Sequence, residues 1–129
     1  IVFGGNGNNN NVYSIGGGTL ATAAVLTIGP NITVHGTQNG NLQNYYTQDS
    51  VINQGTISAD TAAKTIAISG NFTNQGMLSA PAGTLTINGA WSSSGAINAS
   101  GTGILNLGSG ANVWSNAGTI THTRRSFFI

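Results

Sequence analysis

The chain has 129 residues, 20 of them glycine, with 39% hydrophobic and 4% charged side chains and a formal net charge of +1. One compact unit is the expectation for that length, and an apolar content this high with so little charge excludes an open, charge-expanded disordered chain. The three basic residues, Lys64, Arg124 and Arg125, offer almost nothing to a phosphate backbone; the absence of Cys removes disulfides and thiolate metal sites; and no apolar run approaches the roughly 18 residues of a membrane helix.

Read from the N-terminus, an apolar residue recurs four positions before a glycine. The pairs are Val12 with Gly16, Ile32 with Gly36, Val51 with Gly55, Phe72 with Gly76, Trp91 with Gly95 and Trp114 with Gly118. Successive glycines stand 19 to 23 residues apart. The later four units are the clearest, since Ile57, Leu78, Ile97 and Ile120 each follow their glycine by two. A second apolar pair lies about ten residues beyond the glycine in most units: Leu26/Ile28, Ile66/Ile68, Leu85/Ile87 and Leu105/Leu107. Tyr45, Tyr46 and Thr47 stand there in the second unit and leave its register open. The step from Leu107 to Trp114 is longer than its equivalents, so a small insertion is expected over Gly108–Val113.

Within each unit the period is two, bounded by Gly and Asn, which reads as strand. No helical periodicity survives over a dozen residues, and Ala59–Thr65 is expected to be a loop. A unit of about 20 residues with short strands cannot bury its apolar face alone, but stacked units can, with like residues piled in rows. The sequence therefore predicts an all-β parallel β-helix, or β-solenoid, of about six coils of 19–23 residues, forming one domain over 1–129. The interior row would run Val12–Ile32–Val51–Phe72–Trp91–Trp114. The recurrent glycine would supply a positive φ or a close backbone approach. Two residues before it stand Ser14, Val34, Asn53, Asn74, Ser93 and Asn116, a column suited to a ladder of side-chain amides.

Two phrases carry a family resemblance: Val25-Leu26-Thr27-Ile28-Gly29-Pro30-Asn31-Ile32-Thr33-Val34-His35-Gly36 and Gly70-Asn71-Phe72-Thr73-Asn74-Gln75-Gly76. They resemble the degenerate coils of filamentous-haemagglutinin-type adhesins and autotransporter passenger domains, which are right-handed parallel β-helices of the pectin-lyase-like class. The resemblance covers Val12 to about Thr121 and is one of repeat style. It implies a right-handed coil and an exported bacterial surface protein, serving adhesion, biofilm matrix or fibre formation.

Candidate chemistry is sparse. The two acids, Asp49 and Asp60, fall at different points of the coil, whereas glycoside hydrolysis uses two carboxylates flanking one bond and calcium wants several acidic oxygens. No catalytic, cofactor or metal site is expected. His35 and His122 occupy different columns. Asp60 and Lys64 could pair across a loop, and Arg124-Arg125 could meet an anionic glycan or lipid. Tyr45-Tyr46 could stack on sugar rings; Trp91 and Trp114 belong to the inward row and are expected in the core. Three triplets, at Asn31, Asn71 and Asn98, match the N-glycosylation pattern. Ile1-Val2-Phe3 and Phe127-Phe128-Ile129 read as cut ends of a longer chain, with no leader pattern and no polar cap.

The expected function is structural or adhesive: a secreted, cell-surface rod or filament subunit, not an enzyme and not inserted in a membrane. Its partner would be itself, through end-to-end stacking or continuation of the solenoid, with host or matrix glycans as further partners. The alternatives are a glycan-binding or glycan-cleaving module, and an ice-binding solenoid. Ice binding would need Thr-x-Thr at one register in every coil, and the candidate column reads Thr56/Ser58, Met77/Ser79, Ala96/Asn98 and Thr119/Thr121.

Overall fold

The computed structural model describes residues 1–6, 10–108 and 113–124. Among these residues sixteen strands follow one another around three walls. The first wall contains β1 (Val2–Phe3), β4 (Thr33–Gly36), β7 (Thr56–Ser58), β10 (Met77–Ala80), β13 (Ala96–Gly101) and β16 (Thr119–Arg124). The second contains β2 (Asn10–Ser14), β5 (Gly40–Asn44), β8 (Thr65–Ser69), β11 (Thr84–Asn88) and β14 (Ile104–Leu107). The third contains β3 (Val25–Ile28), β6 (Ser50–Asn53), β9 (Phe72–Asn74), β12 (Trp91–Ser93) and β15 (Trp114–Asn116). Every pairing is parallel and joins a strand to the third one after it, so the chain is a β-solenoid. Residues 59–64 between β7 and β8 form the expected loop, while Thr65, read as its last residue, opens β8.

Parallel strands lack the short hairpin route, so each must be reached by a crossover. Here the crossover is the other two walls of the same lap. Alternate residues then face a shared lumen. The rows Val34–Ile57–Leu78–Ile97, Leu42–Ile68–Ile87 and Val51–Phe72–Trp91 come from the three walls in turn, and all their members are buried. Each such side chain taken from water contributes about 1.5–3 kcal/mol, which is why a lap without helices holds its shape once stacked.

The lap count and the first two registers differ from the sequence reading. Two of the walls hold five strands, not six. Val51 lies over Leu26 rather than Ile32, and Val12 belongs to the second wall beneath Leu42. Leu26 and Ile28, read as the second apolar pair, are the third-wall strand itself. Gly36 pairs with Phe3, outside the glycine column. The reason is lap length: Val2 pairs with His35, 33 residues on, whereas Thr84 pairs with Ile104, only 20 on. Extra chain at the corners, including a 3-10 turn at Leu20–Thr22, is absorbed outside the lumen, where loop length is thermodynamically cheap. Counting by a fixed step therefore slips in the early laps while the later four units keep the register read from sequence. Residues 109–112, in the expected insertion, lie outside the described residues.

Gly55, Gly76, Gly95 and Gly118 form the expected column, and close approach is what it requires. A Cβ on Gly76, Gly95 or Gly118 would collide with the carbonyl oxygen of the glycine one lap earlier, and none of these has a positive φ. A second glycine column was missed: Gly70, Gly89 and Gly108, with φ of 87°, 102° and 80°, turn the chain from the second wall to the third. Its signal was present, since Gly70 and Gly89 each stand two residues after the buried Ile68 and Ile87.

Candidate functional site

Inside the third wall the amide column is real but shorter than read. Ile28, Asn53, Asn74, Ser93 and Asn116 are successive neighbours, while Ser14 and Val34 belong to other walls. Asn53 Nδ2 donates to Asn74 Oδ1 at 2.9 Å, and Asn74 Nδ2 donates to Ser93 Oγ at 3.0 Å. The ladder stops there, because Ser93 Oγ donates to the Gly95 carbonyl and Asn116 Nδ2 to the Gly118 carbonyl. The buried Asn53 Oδ1 and Asn116 Oδ1 find no donor among the described residues. Asn53 Oδ1 has the apolar Ile28 as its neighbour one lap down, and Asn116 Oδ1 has the short Ser93. The buried Trp91 indole N–H is likewise without an acceptor. The two bonds that are made, Asn53 to Asn74 and Asn74 to Ser93, join successive laps inside the wall.

Ionisable groups sit at the corners. Between the first and second walls, His35 Nδ1 meets Asp60 Oδ2 at 3.0 Å, with both side chains more than a third exposed. Lys64 does not pair with Asp60 as the sequence suggested; its Nζ donates to Gln38 Oε1 at 3.0 Å. The early lap places His35 against this loop, a neighbour that sequence distance concealed. An exposed pair of this kind stabilises by about 0–1 kcal/mol.

Asp49 occupies the corner between the second and third walls. Its side chain is fully buried. Its carboxylate accepts backbone N–H groups from Ala24 at 2.8 Å, Gly16 at 3.0 Å and Tyr46 at 3.1 Å. The Ala24 N–H bond is the largest influence, and with Gly16 and Tyr46 it outweighs burial, so the carboxyl lies below its ordinary value. Asp49 thus pins residues 16–24, the bulky corner of the first lap, to the lap above. With three donors already in place it is a structural acceptor with little capacity to serve as a base.

The same corner gathers all three tyrosines of the chain. Tyr13 lies on the outer face of β2, and Tyr45 and Tyr46 follow β5 directly. The Tyr13 and Tyr45 rings meet edge to face with centroids 5.9 Å apart, and Tyr45 and Tyr46 do so at 4.9 Å. All are exposed, Tyr45 by 61%. Sequence reasoning noted Tyr45-Tyr46 but missed Tyr13, which a 30-residue lap brings beneath them: Val12 pairs with Leu42 and Tyr13 with Gln43.

The two tryptophans stack with centroids 4.9 Å apart and planes 3° from parallel. Trp91 is buried as expected; Trp114 continues the row but is 46% exposed, because no described lap lies beyond it. Ile104 and Ile120 are uncovered at the same end, around an open depression that Leu105, Leu107 and His122 also line.

The remaining sequence candidates are scattered. Asp49 and Asp60 stand at different corners and do not face one another across a cleft. His122 is on β16, one lap beyond Ala99, and far along the rod from His35 on β4. Arg124 ends β16, and Arg125, like Phe127-Phe128-Ile129, lies outside the described residues. Of the glycosylation triplets, Asn31 is exposed in a turn, Asn71 donates its amide to the Thr47 and Asp49 carbonyls, and Asn98 accepts from Thr121. The candidate threonine column does form one outer row, Thr33–Thr56–Met77–Ala96–Thr119, interrupted by Met77 and Ala96. Among the described residues no three His, Asp or Glu side chains converge as a metal-ligand set, and no helix is long and apolar enough to cross a membrane.

With this geometry in hand, comparison with protein-family models, with curated proteins and with solved structures finds no match for the chain. Its reading rests on its own residues.

Proposed function

We propose that the chain is a length of rod from an extracellular surface or fibre protein, acting as a structural or adhesive element rather than an enzyme. The observation that carries this reading is how the side chains are divided. The lumen is filled by packing rows and a hydrogen-bonded amide ladder, while the outer rows are mostly small and neutral. Thr27–Ile52–Thr73–Ser92–Ser115 runs along one wall and Asn11–Asn41–Ala67–Thr86–Asn106 along another. Such a body gives length and a repeated surface, and among the described residues its exposed His35–Asp60 pair stands at a corner with no further acid or base beside it.

The partner we favour at the ends is a further parallel coil. Among the described residues Ile104, Trp114 and Ile120 leave an apolar end face beside strand edges, and unpaired edges recruit strands. Repeat style adds the adhesin-like expectation of export. Immunogold labelling of producing cells with an antibody to this chain tests the reading. Label on the outer surface or on released fibres, with loss of surface attachment on deletion, is the expected result; label confined to the cell interior would overturn it.

A further inference from the structure

We infer that the corner bearing Tyr13, Tyr45 and Tyr46 is a binding platform for a neutral polysaccharide chain. This deepens the adhesive reading by naming its partner, and it rests on that reading for its biological setting only.

Four observations converge. First, every tyrosine of the chain is at this corner, although Tyr13 and Tyr45 are separated by a full lap. The outer row that begins at Tyr13 continues as Gln43, Ser69 and Asn88, so its one aromatic residue is at this corner. Second, the rings are mutually fixed. Tyr45 makes edge-to-face contacts with both neighbours, and Gly18, at φ 80°, comes so close to Tyr46 that a Cβ would lie 3.2 Å from the ring. The Tyr46 backbone N–H is held by Asp49, and the Tyr45 N–H by the Ser14 carbonyl. Rings held in place bind with little loss of side-chain freedom. Third, the phenol groups make no hydrogen bond among the described residues, nor does the amide of Gln43, the direct neighbour of Tyr13 on the outer face. Aromatic faces with spare hydroxyl and amide groups match the two surfaces of a pyranose ring, its C–H face and its hydroxyl rim.

Fourth, charge selects the class of ligand. The one carboxylate at this corner is sealed under the loop with three N–H donors on it. The exposed His35–Asp60 pair and Lys64 belong to the other corner, between the first and second walls. Among the described residues this corner presents no cation to nucleic acid or an acidic glycan, and no exposed anion to a basic peptide. A neutral, hydroxyl-rich chain is what these groups can satisfy.

The test is titration of the full chain, followed in amide 1H–15N spectra, with cellohexaose, laminarihexaose, chitohexaose and mannohexaose. Hexagalacturonate serves as the charged control. The expected result is saturable shifts with at least one neutral sugar, centred on Tyr13, Gln43, Tyr45 and Tyr46. Tyr45→Ala should weaken that binding about three- to tenfold, the worth of one aromatic contact, and Tyr45→Phe should keep most of it. Tyr45 is well exposed, so an unchanged melting curve will show that the variant is folded. No shift with any neutral sugar at millimolar concentration overturns the inference. So do shifts confined to Trp114 and Ile120, equal response to hexagalacturonate, or undiminished binding by Tyr45→Ala. The assay uses isolated protein, so its failure leaves the rod reading standing, and an intracellular location found by labelling would leave the platform standing.

Discussion

Asn74 is the link on which the amide ladder can be tested most directly. Replacing it by Asp keeps the side chain's shape and removes its two donors. In the native protein Asn74 Nδ2 donates to Ser93 Oγ at 3.0 Å, with longer contacts to the Gly76 and Ala96 carbonyls at 3.4 Å, while Oδ1 receives Asn53 Nδ2. In Asn74→Asp the atom replacing Nδ2 is an oxygen facing those acceptors. Lost bonds of about 0.5–1.5 kcal/mol net, plus a buried group left without a partner at about 1–3 kcal/mol, give about 2–4 kcal/mol at pH 7. No cavity contributes, because the volume is unchanged. The sign of the pH dependence separates this account from a merely disruptive substitution. A buried carboxyl among acceptors has its native pKa raised above the unfolded value of about 3.9. The native state then holds a proton that the unfolded state releases, so the introduced carboxyl's contribution to stability is most favourable below the unfolded pKa and declines as pH rises through the native one. Protonated, it also regains one donor. Urea denaturation followed by circular dichroism at pH 4 and pH 7 is the measurement. The gap to the native protein should be widest at pH 7 and narrow at pH 4. A variant as stable as the native protein at pH 7, or a deficit that does not change with pH, would refute the ladder as a stabilising device.

Three further outcomes follow from the same geometry. Ser93→Asn should extend the ladder to the unpartnered Asn116 Oδ1 and raise stability by about 1 kcal/mol, read as a higher denaturation midpoint; a lower midpoint would mean the row has no room. Gly76→Ala should destabilise by about 2–4 kcal/mol, because its Cβ meets the Gly55 carbonyl oxygen, whereas Gly29→Ala, whose Cβ meets nothing nearer than Ile32 Cδ1 at 4.0 Å, should be nearly neutral. For Asp49 the native carboxyl lies below its ordinary value, so the stability it contributes is present above the unfolded pKa and is lost as pH falls through the native one. Hydrogen exchange should show the Gly16, Ala24 and Tyr46 amides released in Asp49→Ala at neutral pH, and in the native chain on acidification, while Ile68 and Ile87 stay protected; unchanged exchange at Gly16 and Ala24 would remove Asp49 as the pin.

The kind of fold and the later registers are legible in the order of residues alone. Period-two strands rule out helices, and a unit too small to bury its own face must stack. The recurring pair of an aromatic or Val with a glycine four positions later fixes how Val51, Phe72, Trp91 and Trp114 align. It also placed Asn53, Asn74, Ser93 and Asn116 in one column, because a parallel stack puts identical positions over one another. What the corners do emerges from the folded chain and from no pattern along it. Corner length is nearly free, so early laps of 33 and 30 residues break the count that spacing relies on. That freedom carries Tyr13 to Tyr45, His35 to Asp60 and the carboxylate of Asp49 to Gly16 and Ala24. These are contacts across 25 to 33 residues between positions with no shared pattern. Rows are legible because packing repeats every lap; the candidate site was not, because it is assembled where the repeat is broken.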